Sequence, residues 1–443
     1  MRLNTTLLLL FILVVGCGVG SDKQSSTYEI DSGKSSDDPS QDFIGLCKDL
    51  RCQQTKCSSG GDTTVTGVVF DPAGVTPLYN VIVYIPNKLV EPIKTGASCN
   101  TCSVGVSGDP ITSTITDAHG RFLLKNVPVG TNISLVMQIG KWRRIVKIPK
   151  VNACSNTNVS PSITRLPRDK KEGDIPQIAV ATGGCDALEC LLRKIGIADS
   201  EFTNELGSGR IHLYKGKGGG GTLTSSNATS LWSTKESLIK YDAVVMACEC
   251  DSNSGTKPPE ALQRMQDYAN AGGRIFGSHF HYYWLQNGPL PWPTTASWSL
   301  GGGIPDPLIG TIDTSFPKGA AFAEWLHGTG GSPTLGQIEL HDTRHDVDTV
   351  NNPPSQRWIY SAYPDSIQYF TFNTPIEATP SEQCGRVIFS DLHVASSDAT
   401  GSLFPTGCTS TVLSPQEKAL EFMLFDLTSC VLPDTEAPTS PIK

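Results

Sequence analysis

Asp242-Ala243-Val244-Val245-Met246-Ala247-Cys248-Glu249-Cys250-Asp251 decides how the larger part of this chain reads. Five apolar residues run on without alternation, and the composition then turns polar at once. Such a run is a strand buried on both faces, as in parallel sheets covered by helices on each side. The flanking segments repeat the scheme. Upstream, Gln177-Ile178-Ala179-Val180-Ala181-Thr182 is a second continuous apolar strand, followed by Gly183-Gly184 and a helix through Leu188, Leu191, Leu192 and Ile195. A strand at 210–214 and a short helix near 234–240 lie between the two. Downstream, residues 258–271 read as a helix with prolines in its first turn, where a missing N–H costs nothing. Gly272-Gly273 stops that helix before the strand Arg274-Ile275-Phe276-Gly277-Ser278. Arg386-Val387-Ile388-Phe389-Ser390 is the last strand, and Ser414-Pro415-Gln416-Glu417 is a capping box opening a helix over 414–427. Alternating buried strands and helices predict an α/β, doubly wound parallel sheet.

Residues 63–168 obey a different period. Short alternating strands at 64–70, 80–85, 113–116, 121–124 and 134–139 are separated by turns such as Asp71-Pro72-Ala73-Gly74 and Asp117-Ala118-His119-Gly120. That pattern predicts a small antiparallel β-sandwich. The segments Thr66-Gly67-Val68-Val69-Phe70, Thr116-Asp117-Ala118-His119-Gly120-Arg121-Phe122 and Val127-Pro128-Val129-Gly130 resemble the carboxypeptidase regulatory-like (transthyretin-like) domain. The resemblance implies a non-catalytic module beside a catalytic or binding one. Residues 168–174 read as a charged linker, and 433–443 as a disordered tail.

The N-terminus places the chain. Met1-Arg2 precedes an apolar run from Leu7 to Val15, too short to cross a bilayer, and the run ends on Val14-Val15-Gly16-Cys17. This resembles the bacterial lipobox, which implies a signal peptide over 1–16 and lipidation of Cys17, with Gly18 favouring the outer membrane. The partner implied is the membrane, and the location the cell envelope. Residues 17–62, rich in Ser, Asp, Gly and Lys, are expected to be a flexible tether ending in a cysteine cluster.

Composition narrows the rest. A net charge of −8 and the lack of a basic stripe argue against nucleic acid as a partner. Arg143-Arg144 is expected on the solvent face of one strand. Fourteen cysteines in an exported chain imply disulfides. Six lie in the first part (Cys47, Cys52, Cys57, Cys99, Cys102, Cys154) and seven in the second (Cys185, Cys190, Cys248, Cys250, Cys384, Cys408, Cys430). If each part pairs internally, the spare thiol belongs to the second, and Cys384 with Cys430 is one guess at a pair. Cys99-x-x-Cys102 has no second pair at zinc-ribbon spacing and reads as structural.

Open α/β sheets build sites at the carboxyl ends of their strands. Three such ends here carry chemistry: Cys248-Glu249-Cys250-Asp251, Ser278-His279-Phe280-His281, and Ser390-Asp391-Leu392-His393. The second part resembles ThuA-like proteins within the class I glutamine-amidotransferase-like fold, over residues 177–432, although 289–352 does not align. In that fold the strand after Gly-Gly-Arg ends in a Gly-x-Cys-x-Gly elbow, and here His279 stands where the nucleophile would be. Glutamine amidotransferase activity is therefore not expected. His393 falls near the family's catalytic histidine, with Val394-Ala395 where proline and glutamate are usual.

Three chemistries stay open at these strand ends. His279, His281, His393 and Glu249 could hold zinc, since neutral imidazoles and a carboxylate suit that ion. Cys248 or Cys250 could be a thiol nucleophile activated by His279, or a partner in a disulfide to Cys185 or Cys190. The histidines with Asp251 could perform general acid–base work on a sugar. Tyr282, Tyr283, Trp284, Trp292 and Trp298 are read as packing rather than as a sugar-stacking platform. Asp251-x-Asn253-x-Gly255 lacks the closing acid of a calcium loop, and residues 215–221, with five glycines, read as flexible. His341, Asp342, His345 and Asp346 form a polar cluster, read as an outer shell to these strand ends.

The expectation is a surface-anchored extracytoplasmic lipoprotein, carbohydrate-directed by binding or hydrolysis, with a glycan as ligand. The alternative is a non-enzymatic cell-envelope interaction protein with a degenerate amidotransferase-like domain.

Overall fold

The computed structural model describes residues 49–58, 60–395 and 398–441. The signal segment, Cys17, Cys47 and the first part of the expected tether lie outside them.

Alternation in the first part builds eight strands: β1 (Thr64–Val68), β2 (Ile82–Pro86), β3 (Pro110–Ile115), β4 (Arg121–Leu124), β5 (Gly130–Ile139), β6 (Trp142–Val151), β7 (Asn156–Asn158) and β8 (Gly173–Asp174). They form a three-stranded sheet, β4-β1-β7, and a five-stranded one, β3-β2-β5-β6-β8. The turn before β4 shows why its residues are there. Asp117 Oδ1 accepts the backbone N–H groups of His119 and Arg121, both at 2.9 Å. Gly120 takes a φ of +70°, and a Cβ there would lie 2.8 Å from the Val69 carbonyl.

Three expectations for this part need correction. Residues 168–174 are no free linker: β8 adds an edge strand to β6, and Arg165 grips Glu172 at 2.6 Å. Arg143 does not face solvent. It is buried, holds Asp174 at 2.8 Å and donates to the Glu91 carbonyl. The end of the tether is tied down, by Arg51 on Asp109 at 2.6 Å and by the Cys57–Cys154 disulfide.

The second part contains β9 (Ile178–Thr182), α1 (Leu188–Lys194), β10 (Phe202–Thr203), β11 (Ile211–Lys215), α2 (Lys235–Ile239), β12 (Ala243–Met246), α3 (Pro259–Asn270) and β13 (Arg274–Ser278). It continues through α4 (Tyr282–Gln286), β14 (Ala296–Trp298), β15 (Leu308–Ile312), α5 (Pro317–Gly328), β16 (Gln337–Leu340), β17 (Val347–Val350), β18 (Ser355–Ala362), β19 (Asp365–Thr374), β20 (Gly385–Ser390) and α6 (Pro415–Thr428). The predicted capping box forms, with Ser414 Oγ accepting from the Glu417 N–H and the Glu417 carboxylate accepting from the Ser414 N–H at 2.8 Å.

Ten strands join in one sheet of order β10-β11-β9-β12-β13-β20-β19-β18-β15-β16. The first six run parallel, and the remaining four continue it antiparallel. The sheet is thus mixed, and β15 and β16 come from the stretch at 289–352 that does not align with the ThuA-like pattern. Neighbouring residues of one strand feed opposite cores. Ile178, Val180 and Val245 pack with α1, α5 and α6, whereas Ala179, Ala181, Val244 and Met246 pack with α2, α3 and α4. Both faces are covered, which is why those strands are apolar throughout.

The first of these cores continues into the sandwich without a break. Tyr79 stacks on Phe422 with ring centroids 5.7 Å apart, and Trp325 Nε1 donates to the Pro77 carbonyl at 2.6 Å. Two disulfides, Cys99–Cys384 and Cys102–Cys430, cross between the two parts. Internal pairing and the Cys384–Cys430 guess are therefore wrong, because the motif at 99–102 docks on the bottom of the sheet. Cys185–Cys250 and Cys190–Cys408 complete the pairs described, and Cys52 is also disulfide-bonded. Cys248 is the free thiol among the described residues.

Two segments expected to be loose are packed. In the expected tail, Asp434 is buried against Arg386 at 2.7 Å and Lys318 at 3.5 Å, and Ser440 reaches Ser113. In the glycine-rich loop, a Cβ at Gly220 would lie 1.7 Å from the Ser402 carbonyl and one at Gly216 2.0 Å from that of Thr182. Those glycines permit close backbone approach, Gly216 to the tip of β9 and Gly220 to Ser402.

Candidate functional site

Strands β12, β13 and β20 are parallel neighbours, in a register that pairs Met246 with Gly277 and Ser278 with Ser390. Their carboxyl ends therefore emerge side by side. Cys248 follows β12 by two residues, His279 follows β13 directly and His393 lies three beyond β20. The chain turns sharply at His279, which adopts a φ of +40°, a region a histidine enters only under constraint. That turn throws the imidazole across the strand tips instead of along the strand.

Three donor atoms converge there. His279 Nδ1 lies 3.1 Å from His393 Nε2 and 3.4 Å from Cys248 Sγ. Each of the three atoms is within 4.8 Å of the others, so the group could hold a metal ion. The histidines are only 5% and 7% exposed, and Cys248 is fully buried. Burial fixes their protonation. It pushes His279 down to about 3, with the neighbouring His393 adding to the effect, and His393 down to about 4. It lifts the Cys248 thiol to about 12, far from the range of an activated nucleophile. All three groups are neutral at pH 7.

The other side of the His279 ring faces a carboxylate. Its Nε2 lies 3.4 Å from Oδ2 of Asp346. Asp346 is itself held, with Oδ1 accepting from the Gly301 N–H at 3.0 Å and its own N–H donating to Asp391 Oδ2 at 2.7 Å. Burial raises the pKa of both carboxyls, and their mutual repulsion raises Asp391 further. Behind His393, Asp186 accepts the N–H groups of Val394 and Ala395, at 3.2 and 2.7 Å. Gln416 Nε2 donates to the His393 carbonyl at 2.8 Å.

Of the residues expected from sequence, His279, His393 and the thiol candidate Cys248 meet, and His281, Glu249, Asp251 and Cys250 do not join them. His281 is turned away because residues 279–281 form a 3-10 turn instead of an extended strand. Its Nε2 donates to the Ala247 carbonyl at 2.9 Å, and its Nδ1 accepts from Trp284 Nε1 at 3.2 Å. Glu249 is occupied by Lys257 Nζ and the Lys217 N–H, both at 2.9 Å. Asp251 is exposed, outside the cluster. Cys250 is consumed in its disulfide to Cys185, so it is no candidate nucleophile. Trp284 and Trp292, at 1% exposure, are core residues unable to stack on a ligand. Asp346, read from sequence as one of an outer shell of four, is the member that approaches His279, whereas Asp391 was not singled out. The polar run at 341–346 was the available signal, but nothing in it says which acid reaches the strand tips.

No protein-family model matches the chain, and no curated protein matches it. Among solved structures, two mutant type II cohesin–X-dockerin complexes from Acetivibrio cellulolyticus are weakly similar. One is 20% identical over 28% of this chain and 79% of that one; the other is 17% identical over 33% and 78%; both have a TM-score of 0.17. BcpA, the major pilin subunit of Bacillus cereus, is 13% identical over 24% of this chain and 30% of its own, with a TM-score of 0.15. At such scores the likeness assigns neither fold nor function.

Proposed function

We propose that this chain is an exported, lipid-anchored envelope protein whose doubly wound, ThuA-like part carries a zinc centre of hydrolytic type at Cys248, His279 and His393. The observation that carries this is the spacing of the donors. Tetrahedral zinc with Zn–N near 2.0–2.1 Å and Zn–S near 2.3 Å sets its nitrogens roughly 3.3 Å apart, and sulfur roughly 3.6 Å from nitrogen. The distances here are 3.1 and 3.4 Å. Hydrogen bonding alone serves the cluster poorly. With the proton of His279 on Nε2, the nitrogen nearer Asp346, its Nδ1 offers one lone pair to two competing donors, the Cys248 thiol and a His393 N–H. A cation accepts all three lone pairs at once. Three protein ligands leave one position open, the pattern of catalytic rather than structural zinc.

The substrate class in this reading is a glycan, from the envelope location and the ThuA-like resemblance; the buried tryptophans lend it no support. Metal analysis of protein purified without chelator tests the centre: one equivalent of zinc supports it, and none in protein loaded with zinc and then desalted refutes it. A glycan array on the soluble form tests the ligand.

A second reading has one observation in its favour. The near-closure of the strand tips, with imidazoles 5% and 7% exposed, suits an envelope interaction protein in which the cluster only stiffens the sheet. Absence of hydrolysis on any glycan bound, with zinc in place, selects that reading.

A further inference from the structure

We infer that Asp346 is the positioning residue of this centre, the carboxylate that orients His279 and directs its Nδ1 at the ion; the inference rests on the metal reading of Cys248, His279 and His393. Metal-bound histidines give their second N–H to a carboxylate or carbonyl, which fixes the tautomer and strengthens the ligating nitrogen. The arrangement at His279 has this form. Nδ1 faces Cys248 and His393, while Nε2, on the opposite side of the ring, faces Asp346 Oδ2 at 3.4 Å. That oxygen is buried and has no hydrogen-bond partner, the Nε2 contact included, so it is an acceptor within reach of His279 and not engaged by another donor.

The rest of Asp346 is fixed independently of the histidine. Oδ1 takes the Gly301 N–H, and the backbone N–H is held by Asp391. Ser299 donates its N–H to the Asp346 carbonyl at 2.8 Å. The carboxylate is thus placed by the backbone on two sides, with the Asp391 carboxyl also beside it, and its Oδ2 faces His279. His345 and Asp348, on either side in sequence, pair with each other at 2.7 Å. They serve as the control: acidic and imidazole groups in the same segment that do not contact the ligands.

The experiment titrates metal-free full-length soluble protein with Zn2+ against a chromophoric chelator, and with Co2+ to read the thiolate and ligand-field bands. Asp346→Asn keeps an oxygen for the Gly301 N–H but presents an amide where His279 needs an acceptor. The wild type binds one equivalent. Asp346→Asn is expected to keep that stoichiometry, bind about 10–100-fold more weakly and show a shifted Co2+ spectrum. Asp348→Asn is expected to match the wild type. Equal affinity of Asp346→Asn and wild type overturns the inference while leaving the metal centre standing. A wild type that takes up no metal removes both. Should Asp346→Asn fail to fold, judged by circular dichroism of the metal-free form, Asp346→Ser replaces it under the same criteria.

Discussion

Two neighbouring groups of buried polar residues flank the tip of β12, and they differ in one respect. In the first, His281 donates to the Ala247 carbonyl and accepts from Trp284, while Glu249 is matched by Lys257 and the Lys217 N–H. Every donor has an acceptor, and Lys257, at 1% exposure, has its charge cancelled. In the second, Cys248, His279 and His393 bring three lone-pair-bearing atoms to a single point. As hydrogen bonds the second group's two contacts compete for the single lone pair of His279 Nδ1, and on the metal reading proposed above the three atoms would share a cation instead. Residue type does not separate the two groups, since each contains histidine beside the same strand. The tally of donors and acceptors does.

Exchanging the roles of the two groups is the sharpest way to break this comparison. His279→Asn, chosen because asparagine tolerates the left-handed backbone, is expected to abolish stoichiometric zinc binding, read by metal analysis after desalting. Retention of one equivalent would collapse the distinction. Glu249→Gln is expected to leave zinc in place but to cost about 3–5 kcal/mol in denaturant unfolding, because Lys257 is then a buried, uncompensated charge. Loss of metal with unchanged stability would move Glu249 back into the site.

The pH profile sharpens the same contrast from behind His393. Burial raises Asp186 and Glu189 from ordinary carboxyl values to about 7. The unfolded chain releases these protons near pH 4 and the folded chain keeps them to about 7, so the folded form holds more protons in between. Their stabilisation is complete below pH 4 and is lost as pH rises through 7, on the order of 3 kcal/mol for each group. Above about pH 6.5 the buried histidines are neutral in both states and no longer oppose this trend, so melts between about pH 6.5 and 8 should show Tm falling toward the upper end, and Glu189→Gln should flatten the slope. A profile that rises over this range contradicts it. The smallest effect is expected for His281→Ala: zinc retained, and a loss of about 1–3 kcal/mol from the orphaned Trp284 N–H and Ala247 carbonyl.

The strand and helix pattern was legible because it depends on local sequence alone. Residues 274–278 form the strand their apolar run demands, and Ser414 to Glu417 cap α6 as their spacing requires. The four antiparallel strands escaped notice since β15 and β16 sit among glycines and prolines, and gain their strand character only from pairing at the sheet's edge. The candidate site was half legible. His279 and His393 do converge, and His281 does not because a turn directly after Ser278 replaces the extended geometry that would have put it beside His279. Asp346 is remote in sequence and could not be ranked above His341 or Asp342 without knowing which loop returns to the tips.

Sequence by itself determined the elements: where apolar runs end and where helices are capped. Tertiary structure decided the partners. Cys99 and Cys102 cross to Cys384 and Cys430, the glycines at 216 and 220 permit close backbone approach, and Cys248 rather than Glu249 joins the imidazoles. The physical reason is common to all three. Secondary structure follows from steric and solvation rules acting within a few residues, whereas a pairing depends on which of several chemically equal groups the packed sheet leaves within 3–4 Å.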